Sequence, residues 1–98
     1  MPGKKISRIK EKIRTGQYDM TVHAMEEMAE DLLDIMDIEY AILHGSINRT
    51  VKDDPRGIKY VIEGNAMDQK TPVGIVGRFT GNRRFLIITV YKITDNKE

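Results

Sequence analysis

The sequence predicts an α+β domain in which three N-terminal helices pack on a four-stranded antiparallel meander sheet. Three observations lead there. Apolar residues recur at helical spacing as far as about residue 44 and alternate from Ser46 onward. The second half divides into strand-length runs joined by short turn signals, so consecutive strands should be neighbours. The run from Arg84 to Lys92 is apolar on both faces, as a strand covered from each side should be. Strict alternation sends Phe85, Ile87, Thr89 and Tyr91 one way and Leu86, Ile88 and Val90 the other.

Taken in order, residues 5–15 read as a first helix: Ile6, Ile9 and Ile13 share a face, and Gly16 suits a left-handed stop. Lys5, Arg8 and Lys12 form a basic stripe beside it, either a solvated face or a phosphate contact. Gln17 to Met20 is a connector. Thr21 is a good N-cap for a second helix reaching about Asp31, with Val22, Met25, Met28, Ala29 and Leu32 as its apolar positions. Asp34 can cap a third helix, from about Ile35 to His44, that Gly45 ends. Strands are expected over 47–52, 58–63, 72–79 and 84–92. Asp54-Pro55-Arg56-Gly57 suits a type I turn between the first two, and Thr80 to Arg83 a hairpin loop between the last two. Residues 64–71 form a polar loop, and the tail from Thr94 to Glu98 should fray.

The 98 residues are read as one domain, with helices in 5–44 and the sheet in 46–93. No cysteine is present, which removes disulfides and thiolate chemistry. No apolar run approaches membrane-spanning length, and no signal-peptide core follows the basic start. A soluble cytoplasmic protein without a membrane partner is the expectation. The net charge of +1 hides a segregation: +5 over residues 1–16, −8 over 17–44 and +4 over 45–98. Such unevenness builds local fields for a charged partner, or simply solvates helices.

A basic helix is followed by Thr21-Val22-His23-Ala24, then Met28 and a Leu33-Asp34 turn. A helix ending in Gly45-Ser46-Ile47 comes next, then Lys59-Tyr60-Val61-Ile62-Glu63-Gly64 and Leu86-Ile87-Ile88-Thr89-Val90-Tyr91. In order and spacing these resemble the domain-of-unknown-function family 4258, small prokaryotic proteins placed near the RelE/ParE-like toxin superfamily. The resemblance covers nearly the whole chain. It implies a compact helix-plus-meander fold and kinship with toxins that cut RNA or poison another target and are masked by an antitoxin protein. There is one departure: the family often has arginine four and eight residues after the histidine, where this chain has Glu27 and Asp31. Acid there repels phosphate.

Metal-independent RNA cleavage needs a base for the 2′-hydroxyl, an acid for the leaving oxygen and cations for the phosphorane charge. His23, Arg78 and Tyr91 are the catalytic candidates, with Lys59 and Thr89 as substrate contacts. His23 falls in the first turn of a helix, where the dipole favours a neutral imidazole; a structural hydrogen bond is the plainer role. Arg78 can clamp a phosphate or lie solvated. His44, at a helix C-terminus, is read as structural. His23, Glu27 and Asp31 follow at four-residue steps and could face a metal together, but a second imidazole is missing; the simpler reading is a Glu27–His23 hydrogen bond. No cofactor is expected.

Two functions emerge: an endoribonuclease of a toxin–antitoxin pair acting on RNA, and a non-enzymatic protein-interaction module with the same fold. The predicted core is Ile6, Ile9, Ile13, Val22, Met25, Ile38, Ile42, Ile62, Ile75, Leu86, Ile88 and Val90. The other face of the last strand, with Phe85, Ile87 and Tyr91, should be covered by a second copy, giving a homodimer, or by a partner chain.

Overall fold

The run 85–92 has a strand on each side over residues 85–87 and one neighbour beyond. The computed structural model describes residues 4–94, and in it a five-stranded sheet has the order β1-β5-β4-β3-β2. The elements are α1 (Lys4–Arg14), β1 (Tyr18–Met20), α2 (Val22–Glu30), α3 (Ile35–Leu43), β2 (Ser46–Val51), β3 (Lys59–Asn65), β4 (Pro72–Phe79) and β5 (Phe85–Lys92). β2 through β5 form the expected antiparallel meander. The expected fraying of the tail lies, beyond Thr94, outside the described residues.

The sheet is nevertheless mixed. Tyr18, Asp19 and Met20, in the segment read as a connector, pair parallel with Phe85, Leu86 and Ile87. Three residues are too few to show an alternation, and what holds them is distant in sequence. The Arg84 guanidinium forks onto Asp19 at 2.8 and 3.1 Å and reaches the Tyr18 carbonyl at 3.1 Å. The Tyr18 hydroxyl donates to Glu39 on α3 at 2.5 Å. Burial and the neighbouring Glu39 carboxylate push that phenol's pKa up.

α1 and α3 lie on one face of the sheet, over a core containing Ile9, Ile13, Ile38, Ile42, Ile62, Ile75, Phe85, Ile87 and Val90. The caps read from sequence are present. Thr21 Oγ1 accepts from the Ala24 backbone N–H at 3.0 Å, and Asp34 and Asp37 form a reciprocal capping box. Gly16 takes the left-handed conformation at φ 73°. Gly45 does not; it permits close approach instead. A Cβ on Gly45 would lie 2.4 Å from the Ala41 and Glu63 carbonyl oxygens, and one on Gly64 2.1 Å from the Ala41 oxygen. The last turn of α3 thus rests backbone to backbone on β3.

The faces of β5 differ from strict alternation. Gly77 is opposite Ile87 but Val76 is opposite Thr89, so Ile88 is an extra, bulged residue. The bulge puts Val90 on the core face with Phe85 and Ile87, all three buried, and leaves Leu86 and Ile88 half-buried. Phe85 and Ile87 are therefore covered by the chain's own residues, and the surface on which a dimer or partner was predicted is split between two faces. Ile6 is also only half-buried.

The second helix overturns two more core assignments. α2 turns Ala24 and Met28 inward, while Val22 and Met25 are 68% and 47% exposed. It does not join α1 and α3 flat on the sheet face but runs along the edge of β5. Beyond β1 that edge would present unpaired backbone donors. Instead Glu27 accepts from the Val90 N–H and Asp31 from the Lys92 N–H, each at 3.0 Å. The two acids that depart from the resembled pattern are edge acceptors, a task no arginine can perform.

Candidate functional site

Register places four of the five sequence-predicted site residues on the sheet face remote from α1 and α3. Thr89 is opposite Val76, Tyr91 opposite Gly74, and Arg78 opposite Leu86. Lys59 is opposite Val51 at the near end of β3, and Arg49 of β2, opposite Val61, is on the same face. The side chains of the opposite face are taken up by the core; this one carries Arg49, Lys59, Glu63 and Arg78 around a buried Val61 and the half-buried Val76 and Leu86.

At one end a small cleft of about 130 Å³ is lined by Thr21, Asp54, Arg56, Lys59, Arg78, Leu86 and Ile88. Asp54 organises it. Its Oδ1 accepts from the Arg56 backbone N–H at 2.8 Å, and its Oδ2 lies 3.1 Å from Lys59 Nζ. The Arg56 backbone bond, then the Lys59 bond, hold its pKa at about 2. With the folded-state pKa below the ordinary value near 3.8, the stability Asp54 lends is present above that value and is lost as the pH falls through about 2. Lys59 thus enters the site already paired, whereas Arg78 has no hydrogen-bond or ion-pair partner among the described residues and is half-buried. Sequence reasoning missed Asp54 and Arg56; the Asp-Pro-Arg-Gly turn was the available signal, since its aspartate must face the start of β3.

Tyr91 occupies the other end. Its ring lies across Gly74, where a Cβ would sit 2.2 Å from the ring. Gly74 and Arg78 are four residues apart on β4, about 13 Å of strand. Tyr91 and Arg78 can therefore share a ligand that runs along the sheet more readily than one phosphate.

His23 is off the sheet, in the first turn of α2, and 66% exposed. Its Nε2 is 3.2 Å from Glu27 Oε2, and Glu27 Oε1 accepts from the Val90 backbone N–H. Glu27 thus meets the imidazole with one oxygen and the β5 backbone with the other. In a neutral imidazole an Nε2–H aimed at Glu27 would leave Nδ1 as the acceptor, the arrangement that a general base uses. The helix start is tied to the bulge as well, because the Thr21 hydroxyl donates to the Ile88 carbonyl at 3.1 Å. The helix that carries His23 is thus tied to β5 at Ile88 through Thr21 and at Val90 through Glu27. No hydrogen bond or ion pair joins His23, Arg78 and Tyr91 among the described residues. Glu27 and Asp31 each give one oxygen to a backbone donor of β5, and no cluster of three metal-ligating side chains occurs among the described residues. His44 ends α3, its ring stacked on Tyr40 at 4.1 Å.

The molecule is thus a small α+β domain whose mixed sheet has one face under α1 and α3 and one without them, where Arg49, Lys59 and Arg78 stand beside the carboxylates of Asp54 and Glu63. The sequence matches the family described as Domain of unknown function (DUF4258) over residues 20–92. That is most of the chain, and the protein belongs to this family. No curated protein and no solved structure matches it. No helix among the described residues is long and apolar enough to cross a membrane.

Proposed function

We propose that the protein is a toxin-like domain, akin to the RelE/ParE type, that binds single-stranded RNA along its uncovered sheet face and cleaves it without a metal. The observation that carries this reading is the shared face of Lys59, Arg78, Thr89 and Tyr91. Arg78 braces a phosphate with paired donors. Tyr91, about 13 Å of strand away, stacks on a base. His23, beside Glu27, takes the proton of the 2′-hydroxyl as that oxygen attacks the neighbouring phosphorus; the bond from phosphorus to the 5′-oxygen breaks, and the leaving 5′-oxygen takes its proton from water. An antitoxin protein would mask the same face, over the half-buried Leu86, Ile88 and Tyr91.

A fluorescently labelled single-stranded RNA read by anisotropy tests the binding. Arg78→Ala is expected to weaken it several-fold and to lower the salt dependence by about one phosphate contact. Asp54→Asn should tighten it, because Lys59 and Arg56 lose their internal competitor. RNA binding indifferent to both substitutions would remove the sheet face from the function. Cleavage by the purified protein should disappear in His23→Ala; cleavage that survives excludes His23 as the base.

The second reading is the non-enzymatic protein-interaction module. It is favoured by the use of Glu27 and Asp31 to close the β5 edge, which puts acid beside the face where a nuclease wants cations. No RNA cleavage by the folded protein is its expected result.

A further inference from the structure

We infer that the solvent face of α2 is a docking surface for a basic amphipathic helix of a partner protein, with Leu32 as its anchor. Val22, Met25 and Ala29 follow at i, i+3 and i+7 and are all exposed. Leu32 continues the line just beyond the helix and is 89% exposed, and Met36 in the next helix is 55% exposed. These residues have the spacing of a buried stripe but flank the inward positions Ala24 and Met28, which make the internal contacts.

Leu32 is the decisive residue. α2 ends in a Schellman cap: the Leu33 N–H donates to the Met28 carbonyl at 2.9 Å and the Leu32 N–H to the Ala29 carbonyl at 3.1 Å. The cap puts Leu32 in the left-handed region, at φ 59°, a place where glycine is usual because a Cβ is strained there. The cap's internal apolar contact is met by Leu33 and Met28, both packed on the core. Leucine at 32 therefore costs backbone strain and leaves an apolar side chain in water, with nothing gained inside the molecule. The other non-glycine residues at positive φ, Gln69 and Arg83, are polar. Strain of this kind persists where the residue is used, and an exposed leucine is used by something outside the chain.

Charge selects the occupant. Residues 17–44 hold eight carboxylates and no lysine or arginine. Glu26 and Glu30, exposed on the same helix, have no hydrogen-bond or ion-pair partner among the described residues. An acidic partner is repelled and a basic one drawn in. Anchors spaced by three and four residues are met by the apolar stripe of another helix. A second copy of this chain does not supply one: its own basic helix, α1, already buries Ile9 and Ile13 in the core, so it brings charge without an apolar face.

The test is a phage-displayed library of helical peptides of about 18 residues, with a fixed leucine stripe and randomised flanks, selected on the whole protein. Lysine and arginine should be enriched in the flanks. Affinity for the selected peptides should fall about tenfold or more in Leu32→Gly, while the thermal midpoint of that variant rises by a few degrees, because the strain is gone. Lost binding in a better-folded protein separates docking from folding. Glu26→Lys should weaken the same peptides, most at low salt. The inference is overturned by any of four results: no enrichment, acidic flanks, equal binding to Leu32→Gly, or sedimentation showing a dimer that Leu32→Gly dissolves.

Discussion

Gly64→Ala is expected to cost on the order of 3 kcal/mol or more, out of a total near 5–15 kcal/mol for a domain of this size. The added methyl would meet the Ala41 carbonyl oxygen at 2.1 Å and its carbon at 2.9 Å. Both atoms belong to the helix backbone, so no side chain can rotate away. α3 would have to lift from β3, and Ile38, Ala41 and Ile42, all fully buried, would lose packing together. Gly81→Ala is the control, because nothing lies within 4 Å of a Cβ at that turn. Urea denaturation should separate the two variants widely; equal midpoints would mean that α3 does not sit on β3 as described.

The second large effect distinguishes adjacent isoleucines. Ile87→Ala should cost about 2–5 kcal/mol, because a fully buried side chain is removed and the space is walled by helix and sheet. Ile88→Ala should cost roughly 1 kcal/mol or less, because the bulge leaves that side chain half in water. At about 4–8 °C per kcal/mol, thermal melts resolve the difference. Equal losses, or a larger loss at 88, would mean that β5 runs without the bulge.

That contrast also marks how far the sequence could be read. Local chemistry was legible: the Thr21 and Asp34 caps, the Asp54–Gly57 turn, whose Gly57 N–H donates to the Asp54 carbonyl at 3.0 Å, and the extents of the helices and of the meander strands. Each depends on neighbours within a few residues. What escaped depends on partners far along the chain. Alternation through Ile88 was assumed because a bulge is a property of a strand pair. β1 was invisible because Arg84 and the β5 backbone, not its own composition, make it a strand. Val22 and Met25 match the helical period, but a period says that a stripe exists and not which stripe faces in; Ala24 was the inward residue, and a small side chain gives a weak signal. The candidate site was half legible on the same grounds. Lys59, Arg78, Thr89 and Tyr91 share a face, while the pairing of Lys59 with Asp54 and the seat of His23 on Glu27 appear only in the fold.

The parallel pairing of β1 with β5 has a consequence in time. Thr21 and Ile88 bond across 67 residues, and the strand that receives β1 and the edge-sealing carboxylates of α2 is the last of the sheet to be synthesised. Until it emerges, Ile9, Ile13 and Ala24 lack much of the floor they pack on, and the early helices have little to hold them. Pairings this distant require loop closure before they return any stabilisation, so they slow folding. Assembly should therefore be one late, cooperative closure, in which the N-terminal segments wait for the final strand and do not persist as a folded unit before it arrives.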